Sequence, residues 1–363
     1  MIKTVRNNDF SNNNPKLWKS SFSGKIPIIL LIALIWLLTS VTGVNAAVNC
    51  YHFDHPYESP KSYNTWLYWD LNRFDSSYES QKGYGMWLYG ETNQSFVNDI
   101  KQYNNDSINK IKYLFPYTGQ VNLTTFNLTY NRTRTEFYKQ SKIPGIKVYP
   151  MLDSVDNLDG LNDSEIVKLA NNISAKLNSD GNADGLHLDI EPYDDSLIIL
   201  VQAIRMRTCK PISVAIAKHD PPPALFQSVD FAVLMLYGFE KNFTSLTNYS
   251  SIAKYKARDF LIIAQSSNGY AMIGVPAKAT KNEWEYKING TTGNRTNSSF
   301  YMEQYLAAAL NATNMARNAY NEQNYVGISI WNLKSTPGRN NNNETLFPYI
   351  ISPAAWNILK NNQ

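Results

Sequence analysis

Cysteine is almost missing from this 363-residue chain: Cys50 and Cys209 are the only two. They leave room for one disulfide in an oxidising compartment, tying the start of the mature chain to the main domain. Neither thiol has a recognisable base to activate it as a nucleophile. Histidine is also scarce, with four residues, His52, His55, His187 and His219. Only His219 beside Asp220 approaches ligand spacing, which argues against a metal centre and leaves no cofactor implied. Charge of one sign is lacking too. The formal net charge is +4, and five basic residues (Lys3, Arg6, Lys16, Lys19, Lys25) precede the first apolar run. No basic cluster remains to serve as a nucleic-acid face. Nor does any apolar run comfortably reach the roughly 20 residues that span a bilayer.

The apolar run that is present, Ile26 to Leu38, follows the basic leader and is itself followed by the small residues around Val44-Asn45-Ala46. This is the pattern of a signal peptide with a long n-region, spanning residues 1–47. If Thr39 to Val44 is counted in, an uncleaved signal anchor is the alternative, and the only membrane attachment anticipated. Fourteen Asn-x-Ser/Thr sequons, from Asn93 to Asn343, agree with a route through the secretory pathway, ending outside the cell or in a lysosome. Chance in a chain rich in Asn, Ser and Thr accounts for part of that number.

Residues 48–363 show no linker long enough to divide them, and about 250 residues suffice for one (β/α)8 barrel. Short β-rich runs alternate with helical patterns, as in parallel βα units. Strands are predicted at Gly85 to Tyr89, Ile111 to Pro116, Gly145 to Met151, Gly185 to Ile190, Ile212 to Ala217, Phe231 to Tyr237, Ala271 to Val275 and Val326 to Trp331. Thr65 to Trp69 competes for the first place. Helices are predicted at Ser164 to Leu177, Ser196 to Arg207 and Tyr301 to Tyr320. Eight β runs favour a closed TIM-type barrel, read as a monomer, over an open sheet.

In such a barrel the reacting groups stand at the C-terminal strand ends. Those ends offer Glu91, Asp153, Asp189 with Glu191, His219 with Asp220, Tyr237 with Glu240, and Trp331. The densest stretch is Asp184 to Pro192, DGLHLDIEP. Alternation along a strand puts His187, Asp189 and Glu191 on one face and Leu188 and Ile190 on the other. Two carboxyls about 6–7 Å apart along the strand raise one another's pKa, as an acid acting on a glycosidic oxygen requires. An ordinary reading, in which these acids only cap loops or pair with basic residues, suits one acid better than three polar groups on an inward face.

DGLHLDIEP resembles the Asp-x-x-Asp-x-Asp-x-Glu signature on the fourth strand of the chitinase-type glycoside hydrolases, family 18, with Asp184, Asp189 and Glu191 matching. Further along, Met235 to Gly238 (MLYG) is similar to that family's Met-x-Tyr-Asp. Ile273 to Pro276 (IGVP) is similar to its Gly-x-Pro, and Ile328 to Leu333 (ISIWNL) to its Trp-ending eighth strand. The resemblance implies that Glu191 protonates the leaving oxygen. Asp189 would steady the substrate's acetamido group as it attacks the anomeric carbon, with Tyr237 hydrogen-bonded to it. Trp331 would floor the sugar, and Asp184, His187, Met235 and Glu240 would line the substrate site. Three departures bear on which glycan fits. His187 stands in place of the family's middle Asp, Gly238 replaces the Asp after the tyrosine, and strand three reads KVYPMLDS. Glu240, two residues beyond Gly238, and Asp153 are the acids that would compensate. Twenty-four Tyr and eight Trp suit an oligosaccharide or polysaccharide ligand, with Trp66, Trp69 and Trp284 as further platforms or as ordinary packing.

Three readings follow. The first is a hydrolase of N-acetylhexosamine-containing glycans working by substrate assistance. The second is a catalytically silent lectin-like barrel. The third is a glycosidase using Glu240 or Asp153 as nucleophile on sugars without an acetamido group.

Overall fold

Every predicted β run forms a strand in the computed structural model of the chain, which describes residues 82–89, 92–154, 156, 158–237, 246–277, 298–319, 324–332, 351 and 353–362. The strands are β1 (Tyr84–Leu88), β2 (Ile111–Gln120), β3 in two segments (Lys147–Val148 and Met151–Ser154), β4 (Leu186–Ile190), β5 (Ile212–Ile216), β6 (Phe231–Met235), β7 (Ala271–Pro276) and β8 (Tyr325–Asn332). All pairings between them are parallel. Each strand pairs with its successor, and β1 pairs with both β2 and β8, so the sheet closes into a TIM-type (β/α)8 barrel. The leader 1–47, Cys50, the run Thr65 to Trp69, Glu91, Gly238, Glu240 and Trp284 lie outside the described residues. Among the described residues, no helix is long and apolar enough to cross a membrane.

Two strands depart from the sequence pattern by more than two residues at a boundary, both at proline. Pro150 has no N–H to donate, and it separates the two segments of β3. Pro116 was expected to end β2, yet the strand continues to Gln120, with a register shift against β3 between Tyr117 and Gly119. A parallel strand tolerates one missing donor where its neighbours keep the ladder.

The helices on the described residues are α1 (Gln94–Asp106), α2 (Arg132–Gln140), α3 (Asp163–Ser179), α4 (Ser196–Arg205), α5 (Pro223–Ser228), α6 (Leu246–Ser266), α7 (Ser298–Arg317) and α8 (Pro353–Asn361). Asn93, Asn131 and Asn162 cap α1, α2 and α3, each side chain accepting from the backbone N–H two residues on. At α3 the Glu165 side chain returns the bond to complete a capping box. Ile166, Leu169, Ile173 and Leu177 then recur at helical spacing and bury one stripe of α3 in the layer beneath the helices. Fully burying each such side chain is worth about 1.5–3 kcal/mol.

Alternation along the strands separates two cores. The outward set, including Leu114, Val148, Leu188 and Val214, packs under the helices. The inward set fills the barrel with Trp87, Tyr113, Phe115, Tyr149, Met151, Phe231, Val233, Met235 and Met272. Room for these rings comes from glycine at facing positions. A Cβ on Gly274 would meet the Trp87 ring at 2.8 Å, and one on Gly185 would meet the Tyr149 ring at 2.5 Å. The lower barrel is therefore solid aromatic packing, and polar groups collect at its C-terminal end.

Candidate active site at the barrel mouth

β4 and the residue that follows it carry the three polar residues that the alternation places inward, and they meet different surroundings. His187, with no exposed surface, sits among rings, stacked on Phe115 at 4.1 Å between centroids. Its Nε2 accepts from the Trp87 indole N–H at 2.8 Å. Because that nitrogen accepts, the proton of the neutral ring sits on Nδ1, which donates to Ser213 Oγ at 2.8 Å. Ser213 in turn donates to the Leu186 carbonyl at 3.3 Å. Burial lowers the His187 pKa to about 3, so the ring is neutral at any physiological pH. Both nitrogens are engaged with Trp87 and Ser213, which shuts His187 out of proton exchange with Asp189 one step up the face.

Asp189 is 8% exposed, and one oxygen, Oδ2, accepts from the Tyr89 hydroxyl at 2.7 Å. The other, Oδ1, is buried with no hydrogen-bond partner. Burial raises this carboxyl's pKa to about 7; the Tyr89 bond opposes the rise, and the charges of Glu191 and Asp153 add to it. Asp153 on β3 stands in register with Asp189. Its own Oδ1 is likewise buried and unpartnered, and burial raises its pKa, with the Tyr117 hydroxyl pulling the other way. Tyr89 and Tyr117 lie stacked, 6.0 Å apart and 25° from parallel, each beside one of the two acids. Glu191 follows the last residue of β4 and opens to solvent at the rim, though the surrounding protein still raises its carboxyl above the usual range. Glu191 is thus positioned to exchange a proton with a ligand, and Asp189 to face it from below.

Across the mouth, Tyr237 follows β6 and stacks on Trp331 of β8, with centroids 4.6 Å apart and planes within 12°. Tyr237 also meets the edge of Trp87 at 6.1 Å, so one indole touches both His187 and Tyr237. Trp331 and Tyr237 are half-buried, leaving ring surface toward the opening.

The structure therefore brings Asp189, Glu191, Tyr237 and Trp331 to one end of the barrel. Three expected lining residues stand elsewhere, the first being His187 in the closed network beneath the mouth. Asp184 lies before β4, five residues or roughly 16 Å of strand below Asp189. There it pairs with Lys139 at 2.5 Å and accepts the Val148 backbone N–H at 2.8 Å, holding α2 and β3 together at the closed end. Met235 is 5% exposed and belongs to the inner packing. Cys209 is disulfide-bonded. His219 contacts Lys256 and the Tyr255 ring outside the mouth. No His, Cys, Asp and Glu group among the described residues could hold a metal ion. Sequence reasoning missed Tyr89 and Tyr117, although both continue an inward alternation already visible as Trp87-x-Tyr89 and Tyr113-x-Phe115-x-Tyr117.

No protein-family model matches the sequence, and no curated protein matches it. Among solved structures, a chitinase from Bacteroides thetaiotaomicron is similar over 77% of this chain and 96% of its own, with a TM-score of 0.52 and 15% identity. The spore cortex-lytic enzyme SleL of Bacillus megaterium scores 0.47 at 16% identity, covering 77% of this chain and 74% of its own. A tamarind chitinase-like lectin scores 0.42 at 13% identity, covering 69% and 94%. The first likeness establishes a shared barrel fold.

Proposed function

We propose that the chain is a divergent member of the chitinase-type glycoside hydrolases of family 18 and cleaves glycans containing N-acetylhexosamine. What carries the reading is the grouping of Asp189, Glu191, Tyr237 and Trp331 at the C-terminal end of the barrel, with both carboxyls pushed toward protonation. Glu191 is the general acid. Its raised pKa keeps a proton available to the glycosidic oxygen as the bond to the anomeric carbon breaks. The acetamido oxygen of the same sugar forms the new bond to that carbon, so the protein supplies no nucleophile. Asp189 faces the acetamido N–H as positive charge develops there, and Tyr237 holds the acetamido oxygen in line. Trp331 offers its half-buried ring to the apolar face of the sugar. Water then opens the cyclic intermediate with Glu191 as base, and the anomeric configuration is retained.

The enzyme reaches its substrate by way of the secretory pathway, with residues 1–47 as the leader and secretion or a lysosome as the destination. The intact mass of the chain secreted by eukaryotic cells tests this. Loss of residues 1–47 is expected, and retention of the full leader replaces secretion by membrane anchoring.

The decisive experiment compares wild type with Glu191→Gln on fluorogenic chitobioside and on plain glucosides. Wild type cleaves the chitobioside, and the variant loses about 10²–10⁴-fold in kcat while still binding. Binding without turnover of any glycoside by wild type would instead establish a lectin. Turnover of plain glucosides in preference would point to a nucleophile on the protein.

A further inference from the structure

Asp153 has no counterpart in the reaction just described, yet it stands in register with Asp189 on the adjoining strand and shares its inward face. Neighbouring strands lie about 4.8 Å apart, and the charge of Asp153 is near enough to add to the rise at Asp189. Each has one buried oxygen, Oδ1, without a hydrogen-bond partner. The groups facing the pair are Tyr89 from the end of β1, Tyr117 from β2 and Glu191 beyond β4. Arg134 of α2 stands behind Tyr117, over its ring at 5.7 Å and bonded to its carbonyl at 2.7 Å. Among the described residues no ion pair reaches either carboxyl. Two ionised carboxylates here would repel each other across the strands and leave two buried oxygens unsatisfied. A single proton removes both problems. His187, which stands where the resembling family keeps an acid, cannot supply it, because both its nitrogens are committed to Trp87 and Ser213.

We propose that Asp153 and Asp189 together hold one proton, and that Asp153 is the positioning residue that takes it up when Asp189 must face a substrate ionised. Proton sharing stands on the structure alone; its use in turnover rests on the hydrolase reading. In the resting pair the proton sits on Asp189. As Glu191 gives its own proton to the leaving oxygen and the acetamido oxygen bonds to the anomeric carbon, the shared proton moves to Asp153. Asp189 then presents a carboxylate to the acetamido N–H. The pair carries one negative charge before and after, so nothing enters or leaves it. Burial, which pushes both carboxyls upward, keeps that proton in place near neutral pH.

The test is a carboxyl-carbon NMR titration of the full chain with labelled aspartate, which reads the pair with no glycan present. In wild type both residues should report the same two steps, since a shared proton gives the steps to the pair rather than to either acid. Two independent single-step curves would overturn the proposal even if no variant folded. Asp153→Asn should lower the Asp189 midpoint by about one pH unit or more, because a like charge is replaced by a donor. Tyr89→Phe should raise it, because the bond to Oδ2 favours the carboxylate. An unmoved midpoint in Asp153→Asn, or a fall in both variants as water enters, sinks the idea. Inactivity on chitobioside with these titrations intact would overturn the hydrolase reading and leave the proton sharing standing.

Discussion

The lower barrel and its mouth are lined by neighbouring residues of the same strands, yet they treat polar groups in opposite ways. Around His187 one hydrogen-bond chain is complete, because Trp87 donates to the ring, the ring donates to Ser213, and Ser213 donates to a carbonyl, while Ser329 Oγ on β8 is buried without a partner. Two residues further along β4, at the Asp189 level, two carboxyls each keep a buried oxygen empty-handed. A satisfied buried network stiffens the structure, whereas an unsatisfied one stores free energy that a ligand or a proton can release. The difference teaches where the scaffold ends and the working surface begins: between positions 187 and 189.

Returning the resembling family's acid, in His187→Asp, would break this division most severely. The new carboxyl would sit among Phe115, Trp87 and Ser213, and should destabilise the fold by about 5 kcal/mol at pH 8 rather than restore an activity. Its folded pKa would lie above the unfolded value near 4. The folded state then binds more protons, so stability is present at acid pH and lost as pH rises. Urea unfolding at pH 4 and pH 8 reads the difference.

The same sign applies to Asp189 in the wild type, whose pKa rises from 3.8 to about 7 on folding. Stability falls as pH climbs between those values, by on the order of 4 kcal/mol at about 1.36 kcal/mol per unit. Asp189→Asn should flatten that decline in a denaturation series.

Trp87→Phe removes the donor to a buried nitrogen and should cost about 1–3 kcal/mol, measured by thermal unfolding. The wild-type pH profile of activity should be kept, since the lower network takes no part in proton transfer. The smallest effect belongs to the rim. Trp331→Ala loses the stack on Tyr237 and the platform for the sugar, weakening chitobioside binding by about 1 kcal/mol in KM with little change in unfolding.

Much of the fold could be read from the sequence because its signals are local. Eight β runs and the period of helices such as α3 lie within short windows. The mouth was legible where alternation along one strand decided it, as for Asp189 following His187. Distance in sequence hid the rest. The Trp87 bond to His187 and the Tyr89 bond to Asp189 each join residues 100 positions apart. The register that sets Asp153 beside Asp189 depends on how β3 resumes after Pro150. Asp184 was misplaced for a different reason. It matches a sequence signature, but a signature records order along the strand and not which end of the barrel a residue occupies.

The asparagines that begin α1, α2 and α3 are also the first residues of Asn-x-Ser/Thr sequons, Asn93 to Ser95, Asn131 to Thr133 and Asn162 to Ser164. A cap uses the side-chain oxygen, while a sugar is joined through the nitrogen. Mapping attachment at these sites by the customary Asn→Gln exchange would therefore unwind helix starts, at about 1 kcal/mol for each, and confound loss of a glycan with loss of a fold. Replacing Ser95, Thr133 or Ser164 with alanine abolishes the acceptor sequence and leaves each asparagine holding its helix.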